Sequence, residues 1–128
     1  MTRFEKYAAN KKRQAWRFGR FAEALCAWHL RLKGYRILER SFRVYVGEID
    51  IIARRGDIIA MIEVKARSNI SDAAQALGRR QRQRIARAAG AFIQSNPDCA
   101  NLDMRFDVML VSPWRAPIHL ADAWRSES

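Results

Sequence analysis

Hydrophobic and polar positions recur with two different periods along this chain. From about Gln14 to Lys33 the apolar residues Phe18, Phe21, Ala22, Leu25, Trp28 and Leu32 return at three- and four-residue steps, which predicts a helix with one buried stripe. Gly34 ends it. The segments YRIL and FRVYV are short and extended, and the second leads into GEIDIIARRGDIIAMIEVKAR, Gly47–Arg67, which has the pattern of two strands. Ile70 to Leu77 reads as an irregular turn with Ser71 and Asp72 as caps. A second helix is predicted from Arg79 to Ser95, stopped by Asn96 and Pro97. Next, MRFDVMLV alternates Met104, Phe106, Val108 and Leu110 with Arg105, Asp107, Met109 and Val111, a strand with one better-buried face. Pro113 closes that strand, IHL forms a last short run, and Trp124 anchors a frayed terminal turn. The order helix, meander, helix, strand predicts a single α/β domain with a mixed central sheet flanked by helices, since a strand returning after a helix tends to lie parallel to an earlier neighbour.

The hairpin carries charge where strands usually carry Val or Ile. Alternation puts Glu48, Asp50 and Ile52 on one face and Ile49, Ile51 and Ala53 on the other. It likewise groups Met61, Glu63, Lys65 and Arg67 opposite Ile58, Ala60, Ile62, Val64 and Ala66, so that one side is core and the other is not. A two-residue turn at Gly56 and Asp57 sets Arg55 opposite Ile58, Asp50 opposite Glu63 and Glu48 opposite Lys65, with facing Cβ atoms about 5 Å apart. A one-residue slip would mix the polar and apolar faces.

Two carboxylates at that distance repel, and in a poorly solvated place one of them retains a proton unless a cation compensates. Magnesium suits such a pair, because it binds through one or two carboxylates, keeps several waters and takes substrate phosphate as a further ligand. Lys65, on the face of Glu63, is placed to hold a phosphate oxygen or orient an attacking water, which completes the minimal parts for phosphodiester hydrolysis. The same residues also read as a solvated sheet face on which Glu48 pairs with Lys65. Spacing alone leaves both readings open.

Composition changes the picture through charge. The chain has 24 Lys and Arg against 13 Asp and Glu, a net +11 that points to a polyanionic partner, of which nucleic acid is the commonest for a small basic domain. Arg79, Arg80, Arg82, Arg84 and Arg87 fall on the second helix with no acid between them, suited to backbone phosphates. Residues 1–13 read as a flexible basic arm before the domain at 14–128, and Lys11, Lys12, Arg13 and Arg17 form a second basic patch. Cys26 and Cys99 have no partner motif, which fits a reducing cytoplasm, and no apolar run has the length of a signal peptide or membrane span. His29, His119, Trp28, Trp114 and Trp124 read as packing or anchor residues, Trp16 as a cover for the sheet, and Asp107 as a structural ion-pair partner.

An Asp in one strand followed by Glu-x-Lys in the next resembles the catalytic core of the PD-(D/E)XK nuclease superfamily. GEIDIIARRGDIIAMIEVKAR, with GRFAEALCAWHLRLKGYRIL (Gly19–Leu38), RFDVMLV (Arg105–Val111) and the terminal HLADAW, resembles more closely the YraN family of small bacterial proteins, candidate endonucleases related to archaeal Holliday junction resolvases. That resemblance implies a restriction-endonuclease-like fold, Asp50, Glu63 and the Val64 main-chain carbonyl as ligands of Mg2+ or Mn2+, Lys65 as the catalytic lysine, and Glu23 as an acid contributed by the first helix. Glu48 is either a partner of a metal-held water or of Lys65. A homodimer is implied only by the likeness to junction resolvases. Three functions remain: a metal-dependent endonuclease acting on DNA, branched or otherwise unusual DNA included; a nuclease-like module that binds DNA or RNA without cutting it; and, least consistent with the charge, an adaptor for a protein partner.

Overall fold

The computed structural model describes residues 2–66 and 77–126, with the backbone alone for 7–18. Helix α1 (Arg3–Leu32) is followed by strands β1 (Arg36–Val44), β2 (Gly47–Arg55) and β3 (Ile58–Ala66). Helix α2 (Arg79–Ser95), a 3-10 turn at Pro97–Cys99, and strands β4 (Asp103–Val111) and β5 (Ile118–Trp124) complete the order. The strands form one sheet in the order β1-β2-β3-β4-β5. Neighbours are antiparallel except β3 and β4, which run parallel, with α2 in the connection between them. This is the predicted mixed α/β sheet, and its architecture is consistent with a restriction-endonuclease-like fold. No helix among the described residues is long and apolar enough to cross a membrane.

Three expectations about α1 and the sheet need correction. Helix α1 starts at Arg3, not near Gln14, so one helix runs across the boundary drawn at residue 13. Thr2 caps it reciprocally: Glu5 N donates to Thr2 Oγ1 at 3.1 Å, and Thr2 N donates to the Glu5 carboxylate at 3.0 Å. Good helix formers such as Lys, Arg, Ala and Glu sustain this stretch without an apolar period.

Secondly, the stripe that faces the sheet is Ala22, Cys26, Ala27 and Leu30, all fully buried, while Phe21, Trp28 and Leu32 are exposed. Small side chains let the helix lie close on the strands, where bulky rings would hold it off.

Thirdly, both faces of the sheet are core. Ile51, Ala53, Ala60, Ile62, Met109 and Val111 pack under α1, and Ile52, Ile59, Met61 and Phe106 pack against Ile85, Ala88, Ala89 and Phe92 of α2. The nearly unbroken apolar run Ile58–Ile62 is what a doubly covered strand requires.

The two extended segments merge into the single strand β1, with Tyr45 and Val46 in the turn that follows, and the terminal segment read as a frayed turn is the paired strand β5, with Met109 opposite His119 and Phe106 opposite Trp124. The β2–β3 turn falls at Gly56, whose φ of +61° suits glycine, and the pairs Arg55↔Ile58 to Ile51↔Ile62 have the predicted register. Helix α2 has the predicted bounds. It crosses the start of β2 so closely that a Cβ on Gly47 would collide with the Arg84 carbonyl. The caps predicted at Ser71 and Asp72 lie outside the described residues.

Candidate active site

The β2–β3 ladder ends at Ile51↔Ile62, one step before Asp50 and Glu63. Beyond it the Val64 amide donates to Asp50 Oδ2 at 2.8 Å, so a carboxylate satisfies that amide. Alternation in β2 breaks at the same place. Ile49 packs with Ile52 on the α2 side, whereas Asp50 lines a cleft with Glu23 of α1. Ser41, opposite Asp50 on β1 between the pairs Arg40↔Ile51 and Phe42↔Ile49, has a φ of +52°. The expectation that Glu48, Asp50 and Ile52 share a face is therefore corrected by a local irregularity in both strands.

Glu63 is held from the α2 side. Its Oε1 accepts from Gln81 Nε2 at 2.7 Å and lies 3.5 Å from Lys65 Nζ, while Lys65 Nζ donates to Gln81 Oε1 at 3.0 Å. Where the strands part, the carboxyls of Asp50 and Glu63 come close enough for each to shift the other's proton affinity. Three of the predicted residues, Asp50, Glu63 and Lys65, thus come together, and both members of Glu63–Lys65 are buried.

Burial dominates the electrostatics. It pushes the Glu63 carboxyl up, the Asp50 charge pushes it further, and Lys65 only partly offsets them, leaving it at about 8. Asp50 is also raised, first by burial; the Val64 amide opposes the rise, and Glu23 and Glu48 add to it. The raised Glu63 carboxyl therefore favours its protonated form near neutral pH. Burial, then Asp50 and Glu23, push the Cys26 thiol up to about 12, which leaves it inert as a nucleophile.

The cleft on the α1 side, of about 260 Å³, is lined by Gly19, Glu23, Ser41, Glu48, Asp50 and Val64 among others. Glu23 reaches it because it lies beside Ala22 and Cys26 on the sheet-facing side of α1. Ser41 Oγ donates to its two oxygens at 3.0 and 3.3 Å, and Arg40 Nε stands 3.5 Å away. Glu48 sits at the rim and pairs with Arg43 at 3.5 Å, which corrects its expected pairing with Lys65. Gln81 and Ser41 are the residues that sequence reasoning missed. Gln81 left a signal, a polar side chain four residues before Ile85 on the buried stripe of α2; Ser41 left none.

The donors present are hard oxygens, which fit magnesium or manganese better than a soft metal. Among the described residues no trio of His, Cys, Asp or Glu is placed to hold one ion.

A second buried acid lies on the neighbouring strand. Asp107 is fully buried and accepts from Arg105 Nε at 2.8 Å and Nη2 at 2.7 Å, and from the Asp122 amide at 2.9 Å. His119 Nε2 lies 2.7 Å from Asp107 Oδ2, and His119 Nδ1 lies 2.8 Å from Lys33 Nζ. Burial alone would raise Asp107, but the hydrogen bonds from His119, Arg105 and the amide outweigh it and hold the carboxyl at about 2. Asp107 is thus the structural ion-pair partner expected, and His119 is part of its cage rather than simple packing.

The arginines of α2 divide. Arg79, Arg82 and Arg87 line a cavity against Trp124, while Arg80 and Arg84 are exposed elsewhere on the helix. The side chains of Lys11, Lys12, Arg13, Trp16 and Arg17 lie outside the described residues. Trp28 and Trp114 are exposed rather than anchors, whereas Trp124 stacks on Phe106 with ring centroids 4.1 Å apart.

The model of the uncharacterised protein family UPF0102 matches residues 22–111, which include every element from the sheet-facing part of α1 to β4. A UPF0102 protein of Paramagnetospirillum magneticum is 49% identical over 115 residues, covering 87% of this chain and 89% of the relative. One of Rhodopseudomonas palustris (strain BisB5) is 52% identical over 110 residues, covering 86% and 84%. Another, of Methylocella silvestris, is 49% identical over 115 residues, covering 90% and 93%. On this match across most of its length, the chain belongs to the uncharacterised protein family UPF0102.

Proposed function

We propose that this protein is a metal-dependent endonuclease that hydrolyses phosphodiester bonds in DNA, with branched or junction DNA as the substrate class implied by the sequence resemblance. One observation carries the reading: a half-buried Asp50 and a buried Glu63 act directly on each other's charge and are left under-neutralised beside Lys65 in a chain of net charge +11. Asp50, Glu63 and the Val64 carbonyl would hold Mg2+ or Mn2+, which when bound supplies Lewis-acid polarisation of the scissile phosphate. Lys65 Nζ, turned from Gln81 to the substrate, donates to a non-bridging phosphate oxygen or orients the attacking water. Glu23, fixed by Ser41 and Arg40, presents a carboxylate to the cleft that Asp50 lines, and the arginines of α2 hold backbone phosphates away from the reacting centre.

A second reading, a nuclease-like module that binds nucleic acid without cutting it, draws on the contacts of Gln81, which engages both Glu63 and Lys65. Incubation with linear, single-stranded and four-way-junction DNA separates the two. The endonuclease cuts at least one of these with Mg2+ or Mn2+, stops on chelation, and loses cutting but keeps binding in Asp50→Ala. Binding without cutting in any lane, unchanged by the mutation, supports the module.

A further inference from the structure

Trp124, read from the sequence as an anchor, stands at the wall of a cavity of about 360 Å³ between α2 and the end of β5. Arg79, Arg82, Arg87 and Arg125, the last paired with Asp122 at 3.2 Å, also line this cavity, together with Gln83, and among the described residues no acidic side chain lines it. Two donors of the lining residues, Arg82 Nε and Trp124 Nε1, are buried and have no hydrogen-bond partner among the described residues. A buried donor without an acceptor costs about 1–3 kcal/mol, so two of them on the lining of one basic cavity call for an acceptor supplied from outside. The start of α2 adds to this. Its first turn contains no acid to offset the positive end of the helix dipole, and Gly78 provides no side-chain cap. Stacking on Phe106 fixes the indole, so its N–H is held in place.

We infer that this cavity is a seat for a single phosphate group, with Arg82 and Trp124 as its fixed donors and Arg79, Arg87 and Arg125 as the surrounding charge. Its contacts are distinct from those of the carboxyl pair, which α2 reaches through Gln81. A backbone phosphate of bound nucleic acid and a free phosphate or nucleotide share the required chemistry. The net charge of the chain favours nucleic acid as the source. This deepens the reading of the protein as a nucleic-acid enzyme and rests on it only for that choice of source, since the seat needs neither metal nor cleavage.

The test uses the full chain with chelator present. Inorganic phosphate is titrated while the Trp124 indole N–H and Arg82 Nε–H resonances are followed by NMR, with Trp124→Phe assigning the indole signal. Both resonances shift saturably, Arg82→Gln weakens the apparent affinity by about 10-fold or more, and Arg115→Gln, at an exposed arginine outside the cavity, leaves it unchanged. Competition by a short DNA strand then identifies nucleic acid as the source, and its absence identifies a free phosphate compound. Resonances that do not move with phosphate or with DNA, or an Arg82→Gln protein that responds as the wild type does, overturn the proposal. A protein that fails to cut DNA yet shows the shifts loses the nuclease reading and keeps the phosphate seat.

Discussion

Asp107 and Glu63 are buried acids on adjoining strands of one sheet, Glu63 with the half-buried Asp50 beside it, yet the protein treats them in opposite ways. Asp107 receives a bidentate arginine, a histidine and a backbone amide, and its carboxyl is held at about 2. Glu63 has one lysine, shared with Gln81, and faces another carboxyl, so it is pushed up to about 8. The chain has arginines in excess and could have neutralised both. A buried acid that is fully compensated holds the fold together; a pair left short of positive charge is suited to an ion that comes from outside.

The largest effect is expected at the compensated site. Asp107→Ala leaves the half-buried Arg105 without its counter-charge and lowers stability by about 3 kcal/mol, measured by urea unfolding. Asp50→Asn keeps an oxygen for the Val64 amide and removes a repelling charge. It therefore leaves metal-free stability unchanged or raised, while cleavage falls by about 100-fold or more. Equal stability losses in the two variants would erase the contrast between the sites.

Acidity separates them in direction. The unfolded chain binds more protons than the fold at Asp107, so that contribution is present above about 4 and is lost as pH falls through about 2. At Glu63 the fold binds more protons, so metal-free stability declines as pH rises from the ordinary glutamate value towards about 8. Glu63→Gln flattens the alkaline limb and leaves the acid limb in place, which unfolding curves across pH will show. The smallest effect is expected for Gln81→Ala. Losing its two hydrogen bonds costs about 1–2 kcal/mol in stability and changes Mn2+ affinity by less than the Asp50 variant does.

Parts of this contrast were legible in the sequence. The apolar alternation and the Gly56–Asp57 turn led to the register that brings Asp50 beside Glu63, and the approximate bounds of α2 could be read from its apolar stripe and from Asn96 and Pro97. The parity of strands could not carry further. The positive φ at Ser41 and the end of the ladder at Ile51↔Ile62 leave no mark in hydrophobicity, yet together they turn Asp50 towards Glu23. For α1 the large rings misled, because transfer free energy ranks Phe and Trp as inside while close helix–sheet contact selected Ala22 and Cys26. That rotation explains why Glu23, set aside from the apparent stripe, lies in the cleft. The cage of Asp107 joins Lys33, Arg105 and His119 from distant segments, so no local pattern could reveal it.

Calorimetric titration of Mn2+ into the metal-free protein near pH 7 tests most directly whether the carboxyl pair is left under-neutralised for a divalent ion. The wild type should bind with release of about one proton from the pair, seen as heat that varies with the buffer's ionisation enthalpy, and Asp50→Asn and Glu63→Gln should bind weakly or not at all. No binding by the wild type, or binding of equal strength in all three proteins, would contradict the account.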